Sequence, residues 1–92
     1  MNASITHSQP VLYAYDICPY CRRVTRFMDK HELVIPIKDS LDDPEARDEL
    51  VRLGGKSQVP ALLVDGEIIY ESRAIVAWME QNMMRNEVMR TA

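Results

Sequence analysis

Apolar positions along this chain follow two rhythms, and their alternation predicts the order of elements. Val11 to Tyr15 is a continuous apolar run and predicts a buried first strand. From Pro19 to about Glu32 the spacing becomes helical: Tyr20, Val24, Phe27, Met28 and His31 share a stripe that excludes Arg22, Arg23, Arg26, Asp29 and Lys30. Leu33 to Lys38 is β-rich, but Pro36 has no N–H for a ladder and moves this second strand to a sheet edge. After the acidic turn Asp39 to Pro44, residues Ala46, Leu50 and Leu53 mark one face of a second helix over Glu45 to Leu53. Asp43 is its expected N-cap, Pro44 its first residue, Glu45 a charge that complements the dipole, and Gly54-Gly55 its stop.

Val59 to Val64 and Ile68 to Tyr70 flank Asp65-Gly66, a dipeptide suited to a tight hairpin, so strands three and four are expected to be antiparallel neighbours. A last helix begins at about Ser72, which is its expected cap, and carries Ile75, Trp78, Met79 and Met83 on one stripe. The order is therefore β-α-β-α-β-β-α. Two strands joined through a helix lie parallel with a right-handed crossover, and the hairpin adds antiparallel partners. An α/β domain with a mixed four-stranded sheet flanked by helices follows. It spans residues 10–84, between a flexible polar lead-in over 1–9 and a tail over 85–92.

Composition narrows the function classes. A chain of 92 residues, 47% apolar and 27% charged, has the makeup of one small soluble domain. A net charge of −3 excludes a general nucleic-acid binder, whose Lys and Arg would be clustered in a basic domain. No apolar stretch approaches membrane-spanning length, and the polar segment Met1 to Gln9 has no signal-peptide pattern. Both cysteines lie in one motif, which leaves none for a disulfide framework and makes a reducing compartment, the cytoplasm, the expected location.

That motif carries the chemistry. Cys18-Pro19-Tyr20-Cys21 falls where the first strand gives way to a helix, and Pro19 suits the first helical position. Cys18 is then the N-cap, its sulfur facing unpaired N–H groups and the positive end of the dipole, with Arg22 and Arg23 nearby. Each favours thiolate, the attacking species, and Cys21 lies close enough to attack a disulfide formed at Cys18. Three other readings compete. Zinc would need four ligands, and only His7 and His31 remain to help; inert burial fits poorly with a Pro-Tyr insert; a structural disulfide would close too short a loop to restrain the unfolded chain.

Val59-Pro60 opens the third strand, and a cis bond there would turn the Val59 N–H and C=O outward for an extended thiol peptide. Glu71-Ser72 opens the last helix, whose free N–H groups and Ser72 hydroxyl can take a carboxylate as well as serve in capping.

Cys18-Pro19-Tyr20-Cys21, Gln58-Val59-Pro60 and Asp65-Gly66 resemble the dithiol glutaredoxins, and Tyr70-Glu71-Ser72-Arg73-Ala74-Ile75 is similar to the N-terminal domain of glutathione S-transferases. The resemblance covers roughly residues 10–83 and implies a thioredoxin-like fold with glutathione as co-substrate and no metal. It implies that Cys18 bonds the glutathione sulfur, Val59 pairs with the cysteinyl backbone, and Ser72 with Glu71 receives the γ-glutamyl end. Tyr20 and Pro60 belong to the same implied site, and Arg23 and Lys56 or Gln58 are the candidates for the glycine carboxylate. Many glutaredoxins carry a lysine just before the motif and Gly-Gly followed by aspartates at the last helix, where this chain has Asp16-Ile17 and Glu71-Ser72. Here it looks more like glutaredoxins built on a transferase-like domain. Those carry an all-helical second domain, and because the sequence ends where that domain would start, conjugation of bulky electrophiles is not expected.

The implied activity is reduction of protein–glutathione mixed disulfides and protein disulfides by a monomer without nucleic-acid or membrane partners. Its rivals are a carrier in which two chains and two glutathiones share an iron–sulfur cluster through Cys18, and a thioredoxin-like redox protein that ignores glutathione.

Overall fold

The computed structural model describes residues 9–83, so the expected tail over 85–92, and all but Gln9 of the expected lead-in, lie outside the described residues. The elements are β1 (Val11–Tyr13), α1 (Pro19–Lys30), β2 (Ile37–Lys38), α2 (Pro44–Gly54), β3 (Ala61–Val64), β4 (Glu67–Tyr70) and α3 (Ser72–Asn82). Their order is the expected one. The four strands form one sheet in the order β2-β1-β3-β4, with β1 and β2 parallel and the other neighbours antiparallel.

Period-two alternation along β1 divides the core between the two faces of this sheet. Leu12 and Ala14 pack with Val24 and Met28 of α1 and with Ile75 and Met79 of α3. Tyr13 points the other way and packs with Ala61 and with Ala46 and Leu50 of α2. A hairpin joins β3 to β4 through Asp65 and Gly66, whose φ values of 49° and 85° are both positive, as a type I′ turn demands.

Several expectations need correction. The second strand, expected over Leu33 to Lys38, contracts to Ile37–Lys38. Glu32 takes a positive φ of 57° and the Leu33 N–H bonds back to the Met28 carbonyl, so the chain turns here instead of extending. What pairs with β1 is the carbonyl side of the segment: the Leu12 N–H donates to Pro36 and the Ala14 N–H to Lys38. Pro36 therefore sits beside the ladder without having to donate to it.

In α1 the buried stripe is Cys21, Val24 and Met28, whereas Tyr20 is 61% exposed. With Cys18 as the cap, Cys21 is three residues before Val24 and seven before Met28, which puts it on the core face.

Leu53, expected on the buried face of α2, is exposed, and Gly54 takes the sheet-facing place four residues after Leu50. A Cβ at Gly54 would collide with the hydroxyl end of Tyr70 and press on Ile68, so the missing side chain lets α2 approach β4 closely here. Gly55 then closes the helix in the left-handed region at φ 95°.

Ser72 is the first residue of α3 and not its cap. Glu71 holds the cap position at φ 76° and makes no side-chain capping bond, while Ser72 is buried on the same face as Ile75 and Met79.

Candidate active site

The site begins with the position of one sulfur. Cys18 is the N-cap of α1, with extended backbone angles of φ −91° and ψ 117°, and Pro19 occupies the first turn. The Cys21 backbone N–H donates to the Cys18 sulfur at 3.3 Å, so a donor orphaned by the start of the helix is aimed at Sγ. The positive end of the α1 dipole has the same orientation. Cys18 is half-buried and Cys21 is buried, and both are free thiols.

Burial also separates the two thiols chemically. Desolvation is the main cause that pushes the Cys21 thiol up to about 12; a backbone hydrogen bond at Tyr15 opposes it, and the hydrogen bond and charge at Cys18 reinforce it. Cys21 is therefore a protonated thiol at neutral pH, held beneath an accessible one.

Val59 and Pro60 are joined by a cis peptide bond just before β3, so Pro60 precedes the strand instead of opening it. The Val59 carbonyl oxygen lies 4.0 Å from the Cys18 sulfur. The loop before β3 and the tip of α1 are thereby brought together although 41 residues separate them.

Beside them opens a cleft of about 600 Å³. Tyr20 and Arg23 line it from α1, Gln58, Val59 and Pro60 from the loop, and Glu71 and Ser72 from the start of α3. These are the seven residues that the sequence reading assigned to glutathione, and the fold places all of them around one space. Arg73 lines it as well and was missed; its place next to Ser72 in the first turn of α3 was the available signal. Lys56, the alternative for the glycine carboxylate, lies outside the lining: its ammonium sits 4.6 Å from the centre of the Tyr70 ring. The Lys56 carbonyl accepts a hydrogen bond from the Tyr70 hydroxyl.

The cleft has a defined electrostatic character. Arg23 and Arg73 contribute two positive charges and Glu71 one negative charge, and Arg23 reaches over the Tyr20 ring at 5.9 Å. Glu71 makes no capping bond through its side chain, and the start of α3 borders the cleft through Glu71, Ser72 and Arg73. The arrangement suits an extended zwitterionic ligand with carboxylates at its ends. Among the described residues no group of three or more His, Cys, Asp or Glu is placed to hold a metal ion, and no helix is long and apolar enough to cross a membrane.

Comparison with known proteins gives the following. The profile of the glutaredoxin family matches residues 11–69. Over 79 residues the chain is 29% identical to a probable maleylacetoacetate isomerase of Caenorhabditis elegans, covering 84% of this chain and 36% of that protein. Its structure is similar to a thioredoxin-like protein with a TM-score of 0.70 at 22% identity, covering 83% of this chain and 95% of the other. It is also similar to a glutathione transferase homologue from Drosophila mojavensis, solved with bound glutathione, with a TM-score of 0.65 at 24% identity and coverage of 79% and 34%. The chain thus spans about a third of the length of the isomerase and of the transferase homologue. The mixed four-stranded sheet with its three helices is a thioredoxin-like fold.

Proposed function

Since the chain belongs to the glutaredoxin family, we propose that it is a dithiol, glutathione-dependent thiol–disulfide oxidoreductase with Cys18 as its nucleophile. Family and fold support a redox thiol oxidoreductase. The observation that carries the finer reading is the position of the Cys18 sulfur, held at the tip of α1 by the Cys21 N–H and bordered by a cleft sized for a small ligand. A volume of about 600 Å³ falls inside the range of roughly 300–1,000 Å³ common for such sites.

In this reading the Val59 backbone pairs with the cysteinyl residue of glutathione. Ser72, Arg73 and the first-turn N–H groups of α3 take the γ-glutamyl carboxylate, and Glu71 faces its ammonium group. Arg23, with Gln58 beside it, takes the glycine carboxylate. The Cys18 thiolate attacks the glutathione sulfur of a mixed disulfide, the old S–S bond breaks, and the substrate leaves as a thiolate that picks up a proton. A second glutathione thiolate attacks the glutathione sulfur now on Cys18, releasing glutathione disulfide and restoring Cys18. Two glutathione units end oxidised and one substrate thiol is regenerated, so the electrons balance. For a protein disulfide, the Cys18 thiolate attacks one substrate sulfur, the substrate S–S bond breaks, and the other sulfur leaves as a thiolate that picks up a proton. Cys21 then loses its proton and attacks Cys18, freeing the second substrate thiol and leaving a Cys18–Cys21 disulfide for two glutathiones to reduce. A cytoplasmic location belongs to the same proposal, because a glutathione-recycled dithiol needs a reducing compartment.

The test is a glutathione reductase-coupled assay on a glutathionylated peptide and on a protein disulfide. Wild type should turn over both, Cys21→Ser only the first, and Cys18→Ser neither. Turnover of the glutathionylated peptide by Cys18→Ser would overturn the assignment. Recycling by thioredoxin reductase but not by glutathione would favour the thioredoxin-like rival, and a coloured, cluster-bearing dimer after anaerobic purification would favour the iron–sulfur carrier.

A further inference from the structure

A second depression runs along the outer side of α1 and α3, away from the sheet. Its volume is about 390 Å³, and its apolar lining is Phe27, Val76 and Ala77. Four cations border it: Arg23, Arg26 and Lys30 on successive turns of α1, and Arg73 on α3. Glu80 is the one carboxylate in the lining. None of the four cations is within ion-pair distance of a described carboxylate. A protein of net charge −3 thus gathers unneutralised positive charge around an apolar strip. This groove adjoins the cleft beside Cys18, because Arg23 and Arg73 line both.

We propose that this groove receives an acidic, partly apolar segment of the protein substrate, so that the enzyme selects glutathionylated cysteines with carboxylates several residues away. The inference rests on the glutaredoxin-type reading and names the substrate class for that site. In that reading Arg23 and Arg73 are engaged by the carboxylates of glutathione, so Arg26 and Lys30 set the sign of the occupant by charge complementarity, and Phe27 and Val76 account for its apolar part. Geometry sets the spacing. From the N-cap to Arg26 and Lys30 the helix rises about 12 to 18 Å at 1.5 Å per residue. An extended peptide advances about 3.3 Å per residue, so acidic side chains about four to six residues from the substrate cysteine would meet these two cations.

The test compares three glutathionylated peptides that are identical except for two positions four and six residues from the cysteine, occupied by Glu, Gln or Lys. Each is assayed with wild type, Arg26→Glu/Lys30→Glu and the milder Arg26→Gln/Lys30→Gln. Both positions are exposed and lie outside the cleft lining, so folding and turnover of the Gln peptide should be unchanged. Wild type should prefer the Glu peptide over the Lys peptide by about tenfold in kcat/KM, the scale expected of two rim charges, and roughly 0.5 M salt should erase most of that preference. The Gln variant should lose the preference and the Glu variant reverse it. Equal turnover of all three peptides by wild type, or a preference that survives both variants, would overturn the groove assignment and leave the reductase reading intact. Failure to reduce any glutathionylated peptide would overturn both. A wild-type dimer that the same substitutions dissociate would put a second copy of the chain in the groove and also overturn the assignment.

Discussion

The Cys21 backbone N–H points at the Cys18 sulfur from 3.3 Å, while the Cys21 side chain is buried among Val24, Met28 and Ile75. One residue thus supports the nucleophile through its backbone and stores the second thiol in the core. Cys21→Ser keeps the N–H and removes the thiol. Iodoacetamide labelling of Cys18 and reduction of a glutathionylated peptide should therefore stay within about twofold of wild type, since the donor at the helix start is retained.

The raised Cys21 thiol sets a pH dependence. Attack on Cys18 needs the Cys21 thiolate, so formation of the Cys18–Cys21 disulfide from a trapped Cys18 mixed disulfide should accelerate about tenfold per pH unit between roughly pH 6 and 9. Losing the Cys18 charge on mixed-disulfide formation removes a lesser cause of the shift, whereas burial, its largest cause, persists. Stability follows the opposite sign. A folded-state value above the ordinary thiol's roughly 8.5 contributes stability below that pH and loses it as pH climbs towards about 12. Quenched-flow mass spectrometry across pH measures the rate, and a flat profile would contradict the assignment of Cys21 as the attacking thiol.

Glu71 adopts φ 76° at the mouth of the cleft, a conformation that a side chain resists. Glu71→Gly should raise the unfolding midpoint, because relief of strain of about 1–3 kcal/mol exceeds the added unfolded-state entropy of about 0.4–1 kcal/mol. The same substitution should raise the KM for glutathione several-fold. Thermal melts and initial rates on one preparation check both effects.

On the opposite face of the sheet, the Tyr13 hydroxyl donates to Glu49 Oε1 at 2.6 Å and Lys38 Nζ lies 2.7 Å from the same oxygen. The Lys38 hydrogen bond, followed by that of Tyr13, holds the Glu49 carboxyl below its ordinary range, and burial is the main cause that pushes the Tyr13 phenol up. Tyr13→Phe should cost about 1.5–3 kcal/mol in urea unfolding at neutral pH, the scale of a hydrogen bond to a charged group. A carboxylate with a lowered folded-state value contributes stability above the ordinary glutamate range and loses it as pH falls through that lower value. The difference between wild type and Tyr13→Phe should therefore shrink in acid, and a pH-independent difference would remove Glu49 from the explanation.

Gly54→Ala tests the close approach of α2 to β4. The new Cβ would displace the Tyr70 ring, whose hydroxyl bonds the Lys56 carbonyl, so alanine should destabilise by about 1–3 kcal/mol despite its better helix propensity. Gly54→Ala should cost less in a Tyr70→Ala background, where Ile68 Cγ1, 3.0 Å from the new Cβ, is the remaining tight contact.

Local rules were enough to read the element order, the Cys18 cap, the Asp43 cap and the Asp65-Gly66 turn, because each depends on a few consecutive residues and their dihedral preferences. The glutathione-contact list came from resemblance, and the cleft around Tyr20, Arg23, Val59 and Ser72 exists because the sheet order sets the β3 approach beside the tips of α1 and α3. Periodicity misplaced Tyr20 and Leu53, and capping preference misplaced Ser72, because a one-residue shift of cap or stop rotates a helix by about 100°, and only packing against the sheet selects the rotation. The burial of Cys21 and the partial exposure of Cys18 were decided in the same way. Cysteines three positions apart share a sequence environment, but desolvation depends on what the rest of the chain lays over each sulfur.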